Sequence, residues 1–71
     1  MPGMLSKQLR HKISDNIRNL KKTSFKKLAV KAGIPFSTLE KIIFLQTLDV
    51  ELGTIRRIAL ALGVTVDDLM N

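Results

Sequence analysis

The most constraining feature of the chain is an apolar pattern at helical spacing that a single glycine interrupts. Residues 28–43 read LAVKAGIPFSTLEKII. Apolar residues stand four positions apart before Gly33, and the helical spacing resumes after it at Leu39, Ile42 and Ile43. Glycine commonly ends a helix by adopting the left-handed conformation. The stretch therefore predicts two short helices that follow different axes.

Two short helices that cross at a steep angle must approach closely. The first helix then needs a small residue at the crossing, the bend needs a glycine, and the second helix needs apolar residues that face back. Five residues supply these features in that order: Ala29, Gly33, Ile34, Leu39 and Ile42. This is the spacing of a helix-turn-helix, and the alternative is an ordinary helical hairpin.

The rest of the chain also reads as helices. The first helix carries an apolar stripe, with Ser6 as its N-cap: Leu5, Leu9, Ile13, Ile17 and Leu20. The fourth helix opens at or near Asp49, ends at Gly63 and turns five residues inward: Leu52, Ile55, Ile58, Ala59 and Leu62. Thr65 and Asp68 predict a capping box for a fifth. We expect an all-α fold of five helices.

Length and composition limit the architecture. A chain of 71 residues forms one domain at most, which we assign to residues 4–71, and residues 1–3 are set aside as either cloning residues or disordered residues. It contains no cysteine and no long apolar run without charges. These features predict a soluble, cytoplasmic domain without disulfides or a membrane-spanning helix.

Positive charge is concentrated in the first half of the chain. Residues 1–31 hold nine Lys/Arg and one acid, a balance of +8, whereas residues 32–71 hold three bases and five acids, a balance of −2. A cationic surface of this kind favours a partner made of phosphates, because Lys and Arg displace condensed counterions from a nucleic acid. The alternatives are a solvated helix face and attraction to an anionic membrane.

Enzymatic chemistry finds no support in the pattern. His11 has no acidic or cysteine partner nearby in sequence, so we expect a surface histidine. Asp67 and Asp68 fit the start of a helix better than a metal site. We therefore predict no catalytic residue, metal, cofactor or small-molecule ligand.

At the level of the whole pattern, the chain resembles the phage repressor and Cro class of helix-turn-helix domains. The similarity runs without a gap from Ser24 to Leu69. It covers SFKKLAVKAGIPFSTLEKI over the motif and TIRRIALALGVTVDDL over the last two helices, which is similar to the usual TLxxIAxALGVxxxxL. The resemblance implies a five-helix bundle that binds operator DNA with its third helix in the major groove, usually as a dimer.

The resemblance also implies which residues meet duplex DNA. The expected base contacts lie on the third helix: Phe36, Ser37, Thr38, Glu40 and Lys41. The expected backbone contacts lie on or beside the second and third helices: Ser24, Phe25, Lys26, Lys27, Lys31 and Phe44, with Lys41 also able to reach a phosphate.

The three phenylalanines depart from the family pattern. Members of the class often have Gln at the position of Phe25, a polar residue at Phe36, and a polar residue followed by Gly at Phe44 and Leu45. A phenyl ring can touch a thymine methyl but cannot read a donor or acceptor pattern. Each ring could instead turn inward and pack against the core.

The sequence also allows two starting positions for the third helix. Pro35 fits the edge of a helix, whereas Ser37 and Glu40 spell a capping box that would begin the helix two residues later. We expect the earlier start, because the family pattern places the cap at the position of Pro35 and leaves Ser37 projecting.

The segment FLQTLDVE, residues 44–51, lacks the glycine and proline that are common there in the class. Its four apolar residues are too many for a solvated loop: Phe44, Leu45, Leu48 and Val50. They either complete the core or form an exposed patch that supports a weak homodimer or meets another protein.

Three functions follow, and the first is the one we expect. The domain binds duplex DNA and regulates transcription. The second is a protein-interaction module that uses the phenylalanine-bearing face. The third, binding to a membrane surface through the first helix, is disfavoured because the core needs that apolar stripe.

Overall fold

A computed structural model describes residues 7–46 and 50–71 of the chain. These residues form five helices and no strand: α1 (Lys7–Leu20), α2 (Phe25–Ala32), α3 (Phe36–Ile43), α4 (Leu52–Leu62) and α5 (Val66–Met70). The predicted all-α fold is confirmed.

Local sequence signals set the starts of α2 and α5. Ser24 caps α2, and its hydroxyl accepts a hydrogen bond from the Lys27 backbone N–H at 3.2 Å. The predicted capping box is present at α5, where the side chains of Thr65 and Asp68 each accept from the other residue's backbone N–H. The Thr65 backbone N–H, and after it the Thr65 hydroxyl, hold the pKa of the Asp68 carboxyl below its usual range, because they stabilise the carboxylate. Local hydrogen-bonding rules therefore place these two helix starts.

The earlier start of α3 is confirmed. Pro35 is its N-cap, and the Pro35 carbonyl oxygen accepts hydrogen bonds from the backbone N–H groups of Thr38 and Leu39. Ser37 consequently lies within the helix and is exposed. The competing capping box between Ser37 and Glu40 would have required Ser37 to stand outside the helix.

The core draws apolar side chains from all five helices. Its largest fully buried members are Ile13, Ile17, Leu39, Ile43, Ile55, Ile58 and Leu69. Helices α2 and α3 pack against each other, while α1 packs on α3 and α5, and α4 packs on α2 and α5. The core thus fixes the angle between α2 and α3 from both sides.

One expected core position is wrong. Leu52 is 49% exposed, although Ile55, one turn later on the same helix, is fully buried. Leu52 is the first residue of α4, and a helical side chain leans towards the N-terminus of its helix. Its side chain therefore extends past the end of the core instead of onto it.

Some predictions concern residues that lie outside the described ranges: Leu5, Ser6, Leu48 and Asp49. The N-cap of α4 in the structure is Glu51, which has an extended backbone.

Candidate nucleic-acid interface

The turn between α2 and α3 is tied from both sides. Gly33 adopts the left-handed conformation, with φ 71°. The backbone N–H of Gly33 donates to the Val30 carbonyl, and that of Ile34 donates to the Ala29 carbonyl, each at 3.1 Å. From α4, Arg57 Nη1 donates to the Gly33 carbonyl oxygen at 3.4 Å. The turn is therefore held by local bonds and by one contact from outside the motif.

Helix α3 turns a continuous face away from the core. Leu39, Ile42 and Ile43 are buried on its inner side. The outer side of α3 and its C-cap together hold five residues at positions i, i+1, i+4, i+5 and i+8, all exposed except the half-buried Glu40: Phe36, Ser37, Glu40, Lys41 and Phe44. Thr38 is half-buried at the edge of this face. Four of the five expected base-contact residues thus share one face, and Thr38 borders it.

The C-terminal end of α3 is fastened to α1. Ser14 is buried, and its hydroxyl donates to the Ile43 carbonyl oxygen at 2.6 Å. Arg18 Nη2 donates to the same oxygen at 3.3 Å. A helix C-terminus carries unpaired carbonyls and a partial negative charge, so the Arg18 cation is well placed there. Helix α1 consequently fixes where the outer face of α3 ends.

Each phenylalanine has a cation over its ring. The distances from cation to ring centroid are 4.7 Å for Lys21 Nζ and Phe25, 5.8 Å for Lys26 Nζ and Phe36, and 5.7 Å for Arg18 Cζ and Phe44. A cation within about 6 Å of a ring centroid is attracted to the negative face of the ring. Positive charge and aromatic surface are therefore placed side by side around α3.

The rings differ in exposure, which settles alternatives that the sequence left open. Phe25 is half-buried and packs against the core. Phe44 is 54% exposed and Phe36 is 36% exposed. The inward orientation thus holds in part for Phe25, while Phe36 and Phe44 keep ring surface in solvent.

The expected backbone-contact residues of α2 and its N-cap form a polar, mostly cationic rim. Ser24, Lys26, Lys27 and Lys31 are all exposed. Lys26 lies against α3, with its Nζ 5.8 Å from the centroid of the Phe36 ring. The Ser24 hydroxyl uses an acceptor lone pair for its cap, so its O–H remains available as a donor.

The segment after α3 divides between core and surface. Val50 is 5% exposed and belongs to the core, so it is not part of an exposed apolar patch. Leu45 is half-buried, and Phe44 projects into solvent. The fourth apolar residue, Leu48, lies outside the described residues.

Arg18 and Lys21 were not among the residues selected from the sequence. Arg18 lies near the end of α1, and Lys21 lies in the turn that follows it. Arg18 contacts Phe44, which is 26 positions away in sequence, and Lys21 contacts Phe25, which is four positions away. The only signal for them was the basic character of the first helix, which does not say which cation meets which ring.

The arrangement presents hydrogen-bonding groups, cations and two partly exposed rings on a packed helix pair. His11 is exposed, as expected. No helix among residues 7–46 and 50–71 is long and apolar enough to cross a membrane.

Comparison with known proteins agrees with this geometry. A family model described as the Cro/C1-type HTH DNA-binding domain matches residues 15–71. The matched range contains every residue of α2 to α5 and the last six residues of α1. No curated protein and no solved structure is significantly similar to the chain.

Proposed function

The chain belongs to the family of Cro/C1-type helix-turn-helix DNA-binding domains, and we propose that it is a repressor-type regulator that inserts α3 into the major groove of specific duplex sites. The family supports DNA as a partner and transcription regulation in general, and it is not an enzyme class. The observation that carries the finer proposal is the exposed outer face of α3, which lies beside the cationic rim of α2.

The rim supplies contacts that do not depend on sequence. Lys26, Lys27 and Lys31 pair with phosphates, and the Ser24 hydroxyl donates to a phosphate oxygen at the start of α2. Such contacts set the position of the protein on the duplex, while base edges provide specificity. Phe25 packs behind this rim, and Lys21 above its ring adds a further positive charge.

The outer face of α3 supplies the base contacts. Ser37 and Thr38 can donate to or accept from either type of base edge, and Lys41 can donate to the acceptors of guanine. Glu40 can accept from the amino group of cytosine, although its charge also disfavours nearby phosphates. Phe36 supplies apolar surface at the start of the helix.

Salt dependence tests whether DNA is the partner. Log affinity for a duplex should fall linearly with log salt concentration at about −0.9 per phosphate contact, which gives a slope between about −3 and −6 for one subunit. Gel-shift titration against a pool of random duplexes measures both the slope and the preferred site. A flat salt response would remove DNA as the partner.

Paired variants separate the two kinds of contact. Lys26→Ala or Lys27→Ala should weaken all sequences alike and make the salt slope shallower by about one unit, whereas Thr38→Ala should change the preferred site. Arg56→Ala is the matched control, because it removes one exposed cation from α4, outside the proposed contact surface. A folded Thr38→Ala protein with an unchanged site would contradict the base contact.

We further propose that two subunits pair weakly through the segment that follows α3. One short recognition helix offers few base contacts, and specific sites are usually bound about 10³-fold or more above non-specific DNA, which this class reaches by pairing two half-sites. The exposed Phe44 is the described apolar residue on which the contact depends. Leu45 lies beside it, and Leu48 is the further candidate.

Sedimentation equilibrium without DNA tests the pairing. Wild type should show a weak dimer, and Leu48→Glu and Phe44→Glu should both be monomeric and folded. A monomeric wild type would return this surface to another partner. A Leu48→Glu protein that unfolds would assign Leu48 to the core.

A second function remains a candidate because Phe36 and Phe44 expose ring surface at the two ends of α3. Under this alternative, the face binds another protein and not DNA. The gel shift discriminates between them: a domain that binds no duplex at low salt, yet loses a protein partner on Phe36→Ala and Phe44→Ala, would favour the interaction module.

A further inference from the structure

The outer face of α3 begins with an aromatic residue, Phe36. It is the first residue of the helix and is 36% exposed. Lys26 Nζ lies 5.8 Å from its ring centroid, so α2 supplies a cation to one side of the ring. The ring therefore occupies a defined place next to Ser37, with part of its apolar surface towards the solvent.

The major groove offers such a ring few suitable neighbours. Purines present acceptors and an amino group there, and the cytosine amino group and thymine O4 are also polar. A phenyl ring placed against these groups displaces water without replacing its hydrogen bonds, which costs free energy. Carbon 5 of a pyrimidine is the apolar part of that edge, and in thymine it carries a methyl group.

We propose that Phe36 selects a pyrimidine with a methyl group on carbon 5, so that the domain prefers thymine at one position of each half-site and accepts 5-methylcytosine in its place. The inference rests on the proposed DNA-binding function and adds the chemistry that one residue reads. It makes binding sensitive to cytosine methylation when that position holds cytosine.

The other two rings are less suited to this role. Phe25 is half-buried against the core. Phe44 follows the last residue of α3, and the guanidinium over its ring is also bonded to the Ile43 carbonyl at the helix end. Phe36 is the ring at the N-terminal end of α3, where recognition helices of this kind contact base edges.

Replacement of single bases in the preferred duplex tests the proposal on the wild-type protein. Each thymine is changed in turn to uracil, which removes only the methyl group. One position per half-site should lose affinity by about fourfold, the value expected for one buried methyl group. At that position, 5-methylcytosine should bind about fourfold more tightly than cytosine.

Two variants assign the effect to Phe36. Phe36→Ala should bring the thymine-to-uracil affinity ratio at that position to about one. Phe44→Ala, which deletes the same ring from the other end of the helix, should shift overall affinity and leave the ratio unchanged. Circular dichroism checks that both variants remain helical.

The outcomes separate this inference from the function on which it rests. If no duplex is bound, both fail. If duplexes are bound specifically but every uracil substitution is neutral, or the ratio persists in Phe36→Ala, the methyl contact is overturned and the DNA-binding function stands. Loss of the ratio in Phe44→Ala alone would overturn the assignment to Phe36.

Discussion

The ends of α2 and α3 have the same hydrogen-bond pattern but different residues at the position where that pattern requires a positive φ. At the end of α2 that residue is Gly33, with φ 71°, and at the end of α3 it is Leu45, with φ 58°. Around Leu45, its own N–H donates to the Ile42 carbonyl at 3.3 Å, and the Gln46 N–H donates to the Lys41 carbonyl at 2.8 Å. Both helices therefore end in a left-handed turn.

The difference shows how each turn is stabilised. Glycine adopts positive φ without a steric cost, whereas an L-residue with a side chain loses about 1–2 kcal/mol there. Leu45 offsets that cost through contacts, since it lines a small cleft with Ile13, Ile42 and Val50. The end of α2 thus follows from local sequence, and the end of α3 depends on packing against α1.

The largest effect on stability is expected when the glycine at the end of α2 is replaced. Gly33→Val should lower the free energy of unfolding by about 2 kcal/mol, because a β-branched residue at this φ is strongly strained. An added Cβ would lie 3.5 Å from Arg57 Nη1, which is ordinary contact, so the loss comes from the backbone. Urea unfolding measures it.

Gly53→Ala is the matched control for this prediction. Gly53 is the second residue of α4, and an added Cβ would meet nothing within 4 Å. Alanine favours a helix over glycine, so this change should stabilise the protein by up to about 1 kcal/mol. Equal stability of wild type and Gly33→Val would show that the turn tolerates side chains.

The next effect breaks the tie between α1 and the end of α3. Ser14→Ala removes the 2.6 Å hydrogen bond to the Ile43 carbonyl and should cost about 1 kcal/mol, because Arg18 still donates to that oxygen. Thermal unfolding measures the loss. Ser37→Ala, on the exposed face of α3, should change stability by less than about 0.5 kcal/mol. A Ser14→Ala protein as stable as Ser37→Ala would mean that the end of α3 is held without this bond.

Local rules account for most of the fold that the sequence predicted. Ser24, Gly33 and the pair of Thr65 and Asp68 act through hydrogen bonds within a few residues of their own position, so their roles can be read from spacing. Leu52 could not be placed in this way. The apolar period continues into it, but the period alone does not say where the helix begins.

The exposed face of α3 was predictable from the sequence, but the contacts that support it were not. The outer face of α3 follows from the inward spacing of Leu39, Ile42 and Ile43. The hydrogen bond between Ser14 and Ile43 joins residues that are 29 positions apart, and no local sequence pattern predicts it. The same is true of Arg18 over Phe44, so the sequence alone does not give the direction of that ring.

The smallest expected effect sharpens the comparison at Leu45 itself. Leu45→Gly gives α3 the same residue at its end as α2, which relieves about 1 kcal/mol of backbone strain. It also removes a half-buried side chain worth about the same amount, so the net change in the free energy of unfolding should be within about 0.5 kcal/mol. Leu45→Ala loses nearly all of the same side chain but keeps the strain, and it should be about 1 kcal/mol less stable than Leu45→Gly. Inside a helix the order of alanine and glycine is the reverse, so the sign of this difference in urea unfolding reports the conformation directly. An alanine variant more stable than the glycine variant would show that residue 45 does not hold a left-handed conformation in solution, and the parallel between the two helix ends would then fail.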